Sequence, residues 1–269
     1  MPTLYIVATP IGNLEDITLR ALRILREVGL IAAEDTRTTR NLLHHYNIKT
    51  PLTSYHERNK KTKLSYLLQV LQEKNAALVS DAGTPGMSDP GYELITMAIK
   101  QGIAVTPVPG VAAPVVAAVV SGLPLNQMTF LGFLPRQKAE RRRMLEEIAV
   151  ERRTLVAFEA PHRLSAALCD IRDILGNRRI AVCREMTKLH EEVFRGTVEE
   201  ALTHFTEPRG EFTLVIEGDA GTASLKPEQM RVELRRLRQK GIPAREATRQ
   251  LAEMTGMPRK ELYKIWLQT

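Results

Sequence analysis

The chain has 269 residues, 43% of them apolar and 26% charged, a composition that can bury a sizeable core and excludes a disordered, fibrous or disulfide-stapled protein. Lys and Arg number 38 against 31 Asp and Glu, a net charge of +7. Residues 225–269 alone hold 11 basic side chains against 5 Glu, a net of +6, so a nearly neutral body carries a basic tail suited to a polyanion.

From the N-terminus, short apolar runs alternate with helical patterns. A strand over 4–8 precedes a helix over 14–28, in which Leu14, Ile17, Ala21, Leu22, Leu25 and Val28 recur mostly at spacings of three and four and form one core-facing stripe. Strands over 30–33, 76–80 and 103–108 are followed by helices over 38–46, 92–100 and 113–120. This repetition predicts an α/β domain with a largely parallel sheet. The polar stretch 57–63 reads as solvated surface opening a further helix. Ser121-Gly122-Leu123-Pro124 interrupts the pattern and marks a domain boundary.

Beyond it lie an apolar run over 128–134 and strands over 155–159, 180–184, 192–196 and 212–217. Some of these adjoin with no helix between them, which predicts a mixed sheet. Thr197-Val198-Glu199-Glu200 is a capping box that starts a helix, and Gly218-Asp219-Ala220-Gly221 reads as a linker. The tail reads as helices over 227–239, 243–254 and 258–267, each with proline at its first turn. Ala247, Leu251, Met254, Leu262 and Ile265 supply its core. The expected division is therefore an α/β domain over 1–121, a second α/β domain over 122–221 and a basic three-helix module over 225–269.

No run approaches the roughly 20 apolar residues of a membrane span, and the N-terminus lacks the basic region of a signal peptide. A soluble cytoplasmic protein is expected. Cys169 and Cys183 sit in apolar contexts without a CxxC pair and read as reduced, buried thiols, with no metal site implied.

An open α/β sheet binds ligands outside the carboxyl ends of its strands. There the chain places Thr9-Pro10-Ile11-Gly12-Asn13, the Gly- and Pro-dense stretch 80–91, residues 107–113 and Phe158-Glu159-Ala160-Pro161-His162-Arg163. None is a GxGxxG or a P-loop, so phosphate cradling is not expected. Glu34, Asp35 and Arg37 follow another strand end. They bring two carboxylates and a guanidinium together as candidates for catalysis; equally, Asp35 caps the next helix and Arg37 pairs with it. His162 is a weaker alternative base. Arg136, Lys138, Arg141, Arg142 and Arg143 form a second basic cluster, either RNA-facing or simply a solvated helix face.

Six ordered blocks carry a resemblance: Ala8-Thr9-Pro10-Ile11-Gly12-Asn13-Leu14, Ala33-Glu34-Asp35-Thr36-Arg37, residues 80–91, Val108-Pro109-Gly110, Phe158-Glu159-Ala160-Pro161-His162-Arg163 and Phe212-Thr213-Leu214-Val215-Ile216-Glu217-Gly218. Together they closely resemble the tetrapyrrole-methylase-fold family (class III) of S-adenosylmethionine-dependent methyltransferases, and within it the methyltransferases of small-subunit ribosomal RNA. The resemblance implies two α/β domains, usually in a homodimer, with S-adenosylmethionine folded into the cleft between them. It further implies 2′-O-methylation of a cytidine ribose in 16S rRNA, at the decoding centre of the 30S subunit. Carried over by motif, the cofactor contacts are Pro10, Asp81, Gly83, Pro85, Val111 and Ala112 from the first domain and Phe158, Ala160 and Met186 from the second. The competing readings are a methyltransferase of the same fold acting on a small molecule such as a tetrapyrrole or on a modified protein side chain, and a ribosome-binding module that holds S-adenosylmethionine without turnover.

Overall fold

The computed structural model describes residues 2–219, 227–239, 241–255 and 257–268. Its first sheet consists of β1 (Thr3–Val7), β2 (Leu30–Ala33), β3 (Leu52–Ser54), β4 (Ala76–Val79) and β5 (Ala104–Val108), in the order β3-β2-β4-β1-β5 with every pairing parallel. Every residue of β2 and β4 is buried, as parallel strands covered on both faces require. The covering helices are α1 (Leu19–Glu27), α2 (Thr36–His45), α3 (Lys60–Glu73), α4 (Tyr92–Lys100) and α5 (Ala113–Ser121). Strand alternation sends Leu4, Ile6, Ala32 and Leu78 into one core and Val7, Ile31, Ala33 and Val79 into another on the opposite face.

The helix expected over 14–28 is two pieces. Leu14–Asp16 is one 3-10 turn begun by Asn13, and α1 starts afresh after Thr18, whose hydroxyl accepts from the Ala21 N–H at 3.1 Å. Two capping side chains five positions apart make two starts, and Leu14 is exposed instead of joining the stripe. The polar stretch does open a helix, α3, which buries Leu67, Leu68 and Leu71. The short edge strand β3 carries no sequence signal of its own.

The second sheet comprises β6 (Met128–Phe133), β7 (Thr154–Glu159), β8 (Arg179–Arg184), β9 (Glu192–Thr197) and β10 (Phe212–Ile216), in the order β6-β7-β10-β8-β9. Only β6 and β7 run parallel, so the sheet is mixed. One face packs under α6 (Lys138–Glu147), α7 (Leu164–Leu175) and α8 (Val198–His204), the last begun by the expected capping box. The other face, through Val156, Ala181, Cys183 and Val215, packs on Ala117 and Ala118 of α5. One helix of the first domain therefore belongs to the core of the second. Burial pushes the Cys183 thiol up to about 11; Cys169 is only half-buried, not buried as expected.

The second basic cluster, read as RNA-facing or as a solvated helix face, is largely committed to intramolecular pairs. Arg141 is 4% exposed and pairs with Asp170 of α7 at 2.6 Å, Arg142 bonds the same carboxylate at 2.8 Å, and Arg143 pairs with Glu147. Arg141 shares the face of the buried Leu145 four residues on, which turns it toward α7. Arg136 and Lys138 stay exposed. Gly218 and Asp219 are docked too, not linker: a Cβ on Gly218 would lie 2.0 Å from the Arg152 carbonyl oxygen, and the Asp219 N–H donates to Glu151. Ala220 and Gly221 lie outside the described residues.

In the tail, α9 (Pro227–Gln239), α10 (Ala244–Thr255) and α11 (Arg259–Trp266) enclose Met230, Leu234, Leu237, Ala247, Leu251, Leu262 and Trp266. The Met254 side chain lies outside the described residues. All nine described Lys and Arg side chains of the tail are exposed, and the Arg238 guanidinium sits over the Trp266 ring, 5.5 Å from its centroid. Among the described residues no helix is long and apolar enough to cross a membrane.

Candidate active site

The loops that leave the carboxyl ends of β1, β2, β4 and β5 meet at one edge of the first sheet. Two of them are stitched together: Thr9 and Gly83 exchange backbone hydrogen bonds of 2.9 and 3.0 Å, and the Thr9 hydroxyl donates to the Ser80 carbonyl. Gly83 makes this crossing with φ +80, a left-handed conformation that side chains rarely adopt. The β5 loop closes on β1 at Gly110, where an added Cβ would lie 2.9 Å from the Ala8 Cβ.

Facing these loops is a cavity of about 400 Å³, within the usual range for small-molecule sites. It is walled by Asp81, Gly83 and Ala112 from the first domain and by Phe158, Ala160 and Met186 from the second. Three further residues expected to contact a cofactor do not line it. Pro10 and Pro85 are buried in the turns behind the wall, and Val111 packs in the core between the two sheets. Ile11, Met87 and Thr213, which lie within the quoted motifs but were not among the expected contacts, take their places. The Phe158 ring is wedged by Phe130 and Phe133, both with centroids 5.2 Å away. Met186 is presented by two non-glycine residues with left-handed backbone, Glu185 (φ 49) and Thr187 (φ 66), a conformation that costs about 1–3 kcal/mol each and clusters at ligand sites. The Asn13 N–H donates to the Thr187 hydroxyl, so the first-domain loop supports the same turn.

The charged residues of the wall are all acidic: Glu34, Asp81, Asp89, Glu159 and Glu211, with no Lys, Arg or His. Such a wall repels phosphates and suits a cation. A second, more open basin of about 690 Å³ adjoins it, lined by Arg37, His56, Arg58 and Ser88 among others, and Glu34 and Asp89 belong to both walls. Burial raises the Glu34 carboxyl, against a hydrogen bond from the Asp81 N–H. Asp89 is raised to about 6, chiefly by burial and next by the negative charge of Glu34.

Asp35 behaves as the capping alternative describes. It is the N-cap of α2, accepting from the Arg37 N–H at 2.8 Å, and its carboxylate pairs with the Arg37 guanidinium at 2.7 Å. These bonds, the side-chain one foremost, hold its carboxyl at about 2, far too acidic for an efficient base at neutral pH. Arg37 keeps 85% of its side chain exposed. In the second charged cluster, Glu159 is buried and pairs with Arg163 at 2.6 Å while accepting from the Ala160 N–H at 2.7 Å. It thereby fixes the turn that carries Ala160. His162 is exposed and does not line the cavity.

Comparison with known proteins agrees with this geometry. Residues 3–202 match the family described as Tetrapyrrole (Corrin/Porphyrin) Methylases. The chain is similar to the ribosomal RNA small subunit methyltransferase I of Halalkalibacterium halodurans, 49% identical over 99% of this chain and 95% of that protein. It is also similar to the protein of the same name from Thermotoga maritima, 53% identical over 81% of this chain and 99% of that one. Among solved structures, a uroporphyrin-III-C-methyltransferase from Thermus thermophilus superposes with a TM-score of 0.56 at 21% identity, covering 80% of this chain and 94% of that one.

Proposed function

Because the chain belongs to the tetrapyrrole methylase family, and within it to the ribosomal RNA small subunit methyltransferase I group, we propose that it methylates small-subunit rRNA with S-adenosylmethionine, at the 2′-oxygen of a cytidine in the decoding centre of 16S rRNA. The observation that carries this reading is the pairing of an acidic, partly apolar cavity with an adjoining basin that holds Arg37 and Arg58. S-adenosylmethionine is a sulfonium with an ammonium group, and Asp81 and the other carboxylates of the cavity suit both charges. Phe158, Met186 and Ala160 suit its adenine. Pro10, Pro85 and Val111 act from behind the wall by fixing the loops. In the basin, Glu34 faces the acceptor ribose, and Asp35 holds Arg37 toward a flanking phosphate. The protein works in the bacterial cytoplasm as a homodimer, delivered to the 30S subunit by its basic tail.

Labelled S-adenosylmethionine, unmodified 30S particles and mass mapping of the rRNA test the proposal. Methyl on a cytidine 2′-oxygen is the expected result. Cofactor binding without transfer would make the protein a binding module, and methylation of a porphyrinoid would displace RNA as substrate. Filling the cavity tests the cofactor site separately. Ala160→Leu adds three carbons to the wall, and calorimetry is expected to find S-adenosylmethionine binding weakened at least about tenfold, the scale of one misplaced apolar group. An unchanged affinity would move the cofactor elsewhere.

A further inference from the structure

Ribose methylation needs a group to take the hydroxyl proton, and the next step rests on that reading of the site. Glu34 and Asp89 are the residues common to the closed cavity and the open basin, so they stand where methyl donor and acceptor would meet. We infer that Asp89 is the proton acceptor of the reaction and that Glu34 is a positioning residue that tunes it. Asp89 follows Ser88, a non-glycine residue at φ 79, and this left-handed turn holds the carboxylate at the shared wall. The Ser80 hydroxyl stands within hydrogen-bonding reach of it, and among the described residues it forms no ion pair. Asp35, by contrast, has its oxygens committed to Arg37.

The charged groups around Asp89 are Glu34 and Asp35 from the end of β2, Asp81 from the end of β4, Arg37 of α2, and His56, Glu57 and Arg58 from the segment before α3. Burial and the charges of Glu34 and Asp81 bring its carboxyl to about 6, close to the value that best combines ionisation with basicity at neutral pH. The step balances. The ribose O–H bond breaks and its proton passes to a carboxylate oxygen of Asp89. The freed oxygen pair forms the O–CH₃ bond, and the electron pair of the breaking S–CH₃ bond stays on sulfur as a neutral thioether. Asp89 later releases the proton to water.

The test is single-turnover methyl transfer to unmodified 30S particles across pH, together with a carboxyl-carbon NMR titration of the free protein. In the wild type the rate is expected to fall as pH drops through about 6, because the base becomes protonated. Asp89→Asn, assayed at saturating S-adenosylmethionine, is expected to lose about 100-fold or more in single-turnover rate and to lack the resonance titrating near 6; Asp89→Glu restores part of the rate. Glu34→Gln is expected to move both the acid limb and the Asp89 resonance to lower pH, since a neighbouring negative charge is removed, an effect that a merely structural residue would not produce. An Asp89→Asn protein retaining more than a tenth of the rate, or an acid limb unmoved in Glu34→Gln, overturns the inference. The Glu34→Gln titration decides the matter even if Asp89→Asn does not fold. Wild-type transfer to a base instead of a ribose would overturn the functional reading itself, and mass mapping distinguishes that outcome.

Discussion

Deleting residues 225–269 is expected to weaken binding to 30S particles and flatten its salt dependence while leaving S-adenosylmethionine affinity nearly intact. The tail carries a net +6, its nine described basic side chains are exposed, and its core is its own. If about four of those groups neutralise phosphates, the slope of log affinity against log salt falls by about 3, which corresponds to roughly a hundredfold loss of the tail's contribution between 50 and 200 mM salt. Filter binding across a salt series and calorimetry with the cofactor provide the measurement. Equal slopes with and without the tail would assign the charge to solubility alone.

Asp170→Asn is expected to destabilise the body severely. Arg141 and Asp170 have side chains only 5% and 3% exposed, and the substitution leaves a buried guanidinium without its counter-charge, at a cost of about 3–5 kcal/mol. For a body of this size that lowers Tm by about 10 °C. Arg141→Met with Asp170→Leu, which removes both charges, is expected to recover most of the loss. Burial pushes the Asp170 carboxyl up, but the Arg142 and Arg141 hydrogen bonds outweigh it and the net displacement is downward. The pair's contribution is therefore fully present above the ordinary carboxylate range and lost as pH falls through the folded-state value. Thermal melts of the three proteins from neutral to acid pH follow both effects. A single variant as stable as the wild type would show that Arg141 finds another partner.

That pair also marks where sequence reading stops. Most strands and helices of the first sheet, the mixed second sheet, the capping box at Thr197 and the three tail helices follow from periodicity and punctuation, which act over a few residues, whereas β3 and α7 do not. Asp81, Gly83, Ala112, Phe158, Ala160 and Met186 were nameable from ordered motifs. Asp89 was not, since an Asp between Ser88 and Pro90 reads as turn chemistry; only the approach of β2 to β4, which brings Glu34 alongside, gives it a distinctive environment. Arg141 misled for the same reason, because its basic neighbours suggest a surface and only the contact with α7 reveals a core position. Charge clusters report local composition, whereas burial is decided by partners distant in the chain.

The placement of α5 has a mechanical consequence. Ala117 and Ala118 seal the second sheet while the loop preceding them walls the ligand cavity, so the two halves are bolted together beside the cleft. Rotating one half away from the other would strip apolar surface from both α5 and β10. That shared core resists rotation of the halves about the cleft, so the strand-end loops are the parts of the wall that can shift without uncovering it.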